Sequence, residues 1–141
     1  MSATSGTSGT SATRPITAAG RDLLRTAVGA LDDAHRARTP AERYVAAHVA
    51  ALRAGAALVA THAKPSRSPR IRSVWKMLAP MAPELAQWCT YFEAIGKRRI
   101  FVEIGAEPVT AQQADDLLRD AERFCELITT ALGVARPLFV G

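Results

Sequence analysis

The sequence predicts an all-α protein: an up-and-down bundle of four long helices plus one short helix. Three observations lead there. Apolar residues recur at three- and four-residue steps through most of the chain from Leu23 to Leu132. Thr39 with Glu42, and Thr110 with Gln113, have the spacing of capping boxes and mark two abrupt helix starts. The connections between periodic segments are short enough to join antiparallel neighbours. The one candidate strand, residues 100–104, is read as helix.

The elements follow in order. A Ser/Thr/Gly-rich tail, residues 1–15, offers nothing to bury and is expected to be disordered. The first helix runs from Thr17 or Ala18 to about Arg38, on the stripe of Leu23, Leu24, Ala27, Val28, Leu31 and Ala34. Pro40 suits the first position of the second helix, which continues to about Ala63 through Tyr44, His48, Leu52, Gly55 and Val59. Pro65 and Pro69 break the pattern and leave a loop. A short third helix, from Ser73 to Met81, carries Val74, Trp75, Met77 and Leu78. The fourth opens at Pro83 with Leu85, Trp88, Cys89, Phe92 and Ile95 on one face and persists to about Ile104, although Ile100 and Phe101 drift off that face. The fifth runs from Thr110 to about Leu132, on the stripe of Ala114, Leu117, Leu118, Ala121, Phe124, Cys125, Ile128 and Leu132, and Gly133 can stop it. Residues 16–133 thus form one domain, followed by an apolar tail, residues 134–141. Gly29 and Gly55 are expected to let helices approach closely.

Composition narrows the function classes. A hydrophobic fraction of 48% can fill one core in 141 residues. No apolar run long enough to suggest a membrane span stands out, and the N-terminus lacks the basic start of a secretory signal. Cys89 and Cys125 have no metal-ligand spacing and read as reduced core thiols of a cytoplasmic protein. A net charge of +5 favours phosphate-bearing partners. All but Lys64, Lys76 and Lys97 of the 18 basic residues are arginine, the better phosphate fork, though GC-rich coding yields the same bias. No Gly-rich phosphate loop or paired-cysteine site is present, and Asp115 with Asp116 is too sparse for a metal. No cofactor and no metal are expected.

Four stretches carry a family resemblance. They are Thr39-Pro40-Ala41-Glu42-Arg43-Tyr44 leading into the alanine-rich run from Ala47 to Ala54, Ser73 to Ala79, Glu84 to Trp88, and Ala114 to Phe124. In order and helix length this layout resembles the HEPN domain (higher eukaryote and prokaryote nucleotide-binding), in particular a small branch found in high-GC bacteria. The resemblance implies a compact bundle that often dimerises and binds, or acts on, RNA or nucleotides. Active members are metal-independent ribonucleases. They pair an arginine with a histidine four to six residues further on, two copies meeting across the dimer. The histidine would accept the ribose 2′-hydroxyl proton and the arginine would stabilise phosphate charge.

Arg43 and His48 fit that spacing and are the candidate catalytic residues. They stand in the second helix, whereas the family pattern expects the pair near the start of the last. There Lys97, Arg98 and Arg99 supply cations, but His35, His48 and His62 all lie in the first half. Five residues along a helix also turn the two side chains about 140° apart. The candidate nucleic-acid contacts are Lys64, Arg67, Arg70, Arg72 and Lys76, with Trp75 as a stacking partner, and Lys97, Arg98 and Arg99. The acids Glu103, Glu107, Asp115, Asp116, Asp120 and Glu122 could form a complementary face for homodimerisation. The preferred reading is a homodimer that binds RNA or nucleotide through its basic surface without strong catalysis, and no membrane. A ribonuclease using Arg43 and His48 is the alternative. A third is a protein-interaction module whose partner docks on Leu138 and Phe139 of the C-terminal tail and on the acidic last helix.

Overall fold

The computed structural model describes residues 15–63 and 73–134. Five α-helices follow in order: α1 (Ala18–Arg36), α2 (Pro40–His62), α3 (Val74–Met81), α4 (Ala86–Glu103) and α5 (Ala111–Ala131). A 3₁₀ turn, Pro83–Leu85, leads into α4. No strand occurs among the described residues, and residues 100–104 form the closing turn of α4 with its cap. The expected tails lie outside the described residues except at Pro15 and Val134. So does the loop from Lys64 to Arg72.

Helix boundaries follow from local chemistry. Thr39 Oγ1 accepts from the Glu42 amide at 3.1 Å, and the Glu42 carboxylate accepts from the Thr39 amide at 3.3 Å. Thr110 and Gln113 repeat the box at 3.1 and 3.0 Å. Each such cap contributes about 1 kcal/mol. Thr17 caps α1 through the Gly20 amide at 3.0 Å. At the far end Gly133 takes φ +70°, letting the Val134 amide return to the Thr129 carbonyl at 3.1 Å. That left-handed residue closes α5 as a Schellman motif.

The middle of the molecule is α2, packed most extensively against α1 and α5. Ala47, Ala50, Ala51, Ala54 and Ala57 are completely buried, and their small side chains let the helix axes close up. On its other side α2 meets α3 and α4 across large rings. Trp75 stacks on Phe92 at 5.3 Å between centroids, Trp88 stacks on Phe92 at 5.8 Å, and Phe92 meets Phe124 at 5.0 Å. Gly55 makes room for this cluster, since a Cβ there would lie 3.2 Å from the Trp75 ring. Gly29, by contrast, faces open space and permits no close approach.

Over its most apolar window, of mean hydropathy 1.4, α2 is long and apolar enough to cross a membrane, contrary to the sequence expectation. Its apolarity is used inside the bundle, where 61% of that window is buried.

Candidate functional site

Tyr44 and His48 lie one turn apart on α2 and are both buried, with Arg98 and Gly96 of α4 against them. His48 is 3% exposed, and its ring lies 6.4 Å from that of Trp75. A Cβ at Gly96 would stand 3.0 Å from Nε2, so the bare backbone of α4 is what admits the imidazole. Neither ring nitrogen makes a well-formed hydrogen bond among the described residues, although the Phe92 carbonyl lies near enough to interact with the ring. Burial first, and the Arg99 cation second, pull the His48 pKa down to about 4, with the Phe92 carbonyl acting in the opposite sense. The ring is therefore neutral at pH 7. The Arg98 guanidinium covers the Tyr44 ring at 5.5 Å, and burial raises the Tyr44 phenol above its ordinary value despite that cation.

Arg43 takes different partners. Its Nε donates to the Ala34 carbonyl at 3.0 Å and its Nη1 to Asp115 Oδ1 at 2.7 Å. One guanidinium thus ties the end of α1, the start of α2 and the first turns of α5, and places positive charge at the negative end of the α1 dipole. Within one chain Arg43 is committed to α1 and α5 while His48 is buried against α3 and α4. The two share none of these partners.

The candidate basic surface divides in the same way. Lys76 in α3 and Lys97 in α4 are exposed. Arg98 pairs with Glu107 and donates to the Pro108 carbonyl at 3.2 Å, and Arg99 lies 3.6 Å from Glu103 with its Nε buried. Both guanidinium groups therefore serve their own chain. Lys64, Arg67, Arg70 and Arg72 lie outside the described residues. The expected stacking role for Trp75 is corrected: its ring is buried between Phe92 and Phe124, where no base can reach it.

The acidic residues are likewise engaged. Asp115 holds Arg43 and Glu107 holds Arg98. Glu122 meets His35 at 2.7 Å, and Asp120 accepts from the Tyr91 hydroxyl at 2.7 Å. Burial and that hydrogen bond push the Tyr91 phenol well above its usual range. Asp116 accepts from Gln112 at 2.8 Å. Among the described residues no group of three His, Cys, Asp or Glu could hold a metal ion.

Two features were missed at the level of sequence. One is the role of Gly96 as the seat of His48. The other is a fully formed apolar turn at the end of α4, where Ile100, Phe101 and Ile104 stand exposed; the drift of Ile100 and Phe101 off the apolar face was its signal.

A family model described as SAV_6107-like HEPN matches residues 34–129, well over half of the chain. The chain belongs to this HEPN family. The matched span runs from the end of α1 to near the end of α5 and takes in Arg43, His48 and the α2–α4 seam. HEPN domains are all-α, as this bundle is. No curated protein and no solved structure matches the chain.

Proposed function

We propose that this HEPN protein is a cytoplasmic homodimer that binds RNA or nucleotides through a basic surface without strong catalysis. The observation that carries the non-catalytic part is the state of His48: a neutral ring 3% exposed, with Arg43 committed to Ala34 and Asp115. A proton acceptor for a ribose hydroxyl has to come within hydrogen-bond reach of it. The binding part is supported by family membership, by the net charge of +5, and by the exposed Lys76 directly after the basic segment from Lys64 to Arg72. Lys97 adds an exposed cation, while Arg98 and Arg99 act chiefly as struts of the bundle. Buried free thiols at Cys89 and Cys125 are in keeping with a reducing compartment.

The test is retention of single-stranded RNA by the purified protein in EDTA over a salt series. The expected result is intact RNA and an affinity that falls steeply with salt, with a log–log slope of roughly −0.7 per phosphate contact. Lys76→Ala and Lys97→Ala each weaken binding. An affinity unmoved by salt overturns the binding reading. Cleavage that disappears in a folded His48→Ala protein would instead establish the ribonuclease alternative with Arg43 and His48.

A further inference from the structure

A shallow recess of about 320 Å³ opens between the start of α4 and the middle of α5, large enough for a small organic molecule. It is lined by Gln87, Trp88 and Tyr91 of α4 and by Asp120 of α5. Trp88 and Tyr91 are three residues apart and share a helix face. Their ring centroids lie 6.5 Å apart with the planes at 75°, so the two rings form a corner of aromatic surface. Behind that corner Trp88 rests on Phe92 and Phe124, which fixes the indole while leaving it half-buried. Tyr91 stays 37% exposed. Its hydroxyl donates to Asp120 Oδ2 at 2.7 Å, and this bond holds the carboxylate beside the rings. The other oxygen of Asp120 has no partner among the described residues.

The field in the recess is negative. Asp120 and Asp116 both raise the Tyr91 phenol, and no arginine or lysine offsets them. Arg119 and Arg123 flank Asp120 along α5, but neither lines the recess, and Arg119 lies 3.6 Å from Asp116 instead. A nucleotide is therefore disfavoured here, because its phosphates would face the same carboxylates. A primary ammonium is poorly served as well. It brings three N–H donors to a recess that offers one open carboxylate oxygen and the Gln87 amide oxygen. A quaternary ammonium has no donor to satisfy, and its charge is spread over methyl groups that lie well on the negative faces of aromatic rings.

We propose that this recess binds the quaternary ammonium head of a small organic cation, with Trp88 and Tyr91 as its aromatic walls and Asp120 as its counter-charge. Gln87, exposed in the first turn of α4, offers an amide to a hydroxyl or carbonyl on the rest of the ligand. The site stands apart from the RNA-binding reading. It uses none of the basic residues and adds a ligand class of the opposite charge.

The measurement is a titration of the full-length protein with choline chloride at constant ionic strength, without RNA, followed by NMR of the indole N–H signals. Circular dichroism confirms helicity for every variant. The Trp88 signal, assigned by its absence in Trp88→Phe, shifts saturably, and the signal of the buried Trp75 does not. The neutral isostere of choline, with carbon in place of nitrogen, binds roughly tenfold more weakly, as does methylammonium. Tyr91→Leu and Asp120→Asn leave Trp88 packed on Phe92, and each weakens choline binding by roughly tenfold. Lys76→Ala leaves it unchanged, so this site and the RNA-binding reading fail independently. A Trp88 signal indifferent to choline overturns the proposal. So does equal binding of the neutral isostere or of methylammonium. Adenosine monophosphate shifting Trp88 more strongly than choline would also overturn it, by assigning the aromatic corner to a nucleobase.

Discussion

The two sides of α2 solve the same packing problem in opposite ways. Toward α1 and α5 the helix presents alanines, and the backbones close up until little space remains. Toward α3 and α4 it presents Tyr44, His48 and Gly55, and the wider gap is filled by Trp75, Phe92 and the rings around them. Close-packed alanine has no polar atom to misplace. The ring-filled side buries the Tyr44 hydroxyl and both His48 nitrogens without well-formed hydrogen bonds among the described residues, with only the Arg98 guanidinium and the Phe92 carbonyl near them. The difference separates a side limited by space from a side limited by polar desolvation, and each should fail in its own manner.

Removing bulk from the ring-filled side should do the most damage. Phe92→Ala empties the centre of the cluster, and a loss of about 3–5 kcal/mol is expected in denaturant unfolding. On the alanine side the same deletion is impossible and added bulk is the stress. Ala50→Leu should cost about 1–3 kcal/mol, more than a comparable enlargement at an exposed position.

The polar cost on the ring-filled side is visible through pH. The folded His48 pKa, about 4, lies below the ordinary value near 6.5. Between those values the unfolded chain binds a proton that the folded chain does not, so stability falls as the solution is acidified. The contribution is complete above about 6.5, is lost as pH drops through about 4, and amounts to at most about 3 kcal/mol. Thermal unfolding of His48→Leu should lose that part of the acid sensitivity and match or exceed wild type at low pH.

Arg43→Ala tests the tie across the alanine side. Losing the bonds to Ala34 and Asp115 should cost about 1–2 kcal/mol in denaturant unfolding, and Asp115→Asn should recover little when combined with it. The smallest effect belongs to the exposed pair of Arg25 with Asp22, where Arg25→Ala should change stability by less than about 0.5 kcal/mol in the same assay.

Much of this arrangement was legible in the chain. The capping boxes at Thr39 and Thr110 and the stop at Gly133 are local chemistry, and they set the helix ends to within a residue or two. The stripe of α5 became its buried face residue for residue, from Ala114 to Ile128, because periodicity alone decides which side of an amphipathic helix turns inward. What periodicity does not give is the neighbour across the gap. Trp75 and Trp88 sit on equally apolar stripes, yet of the two only Trp75 is buried, because α3 lies over Gly55 of α2. Arg98 and Arg99 read as a surface cluster, and they bend inward because Glu107, Glu103 and the Tyr44 ring lie within reach of α4. The candidate pair was partly legible too: the angle separating Arg43 from His48 was available from helix geometry. The partners that hold Arg43 came from α1 and α5, distant in sequence, and only the fold brings them together.

The most direct measurement is a histidine ring titration by NMR, with the His48 signal assigned by its absence in His48→Leu, run with and without single-stranded RNA. A buried strut should stay neutral down to about pH 4, and its signal should not respond to RNA. A His48 that titrates near 6.5 and shifts when RNA is added would contradict this account and return the residue to a catalytic role.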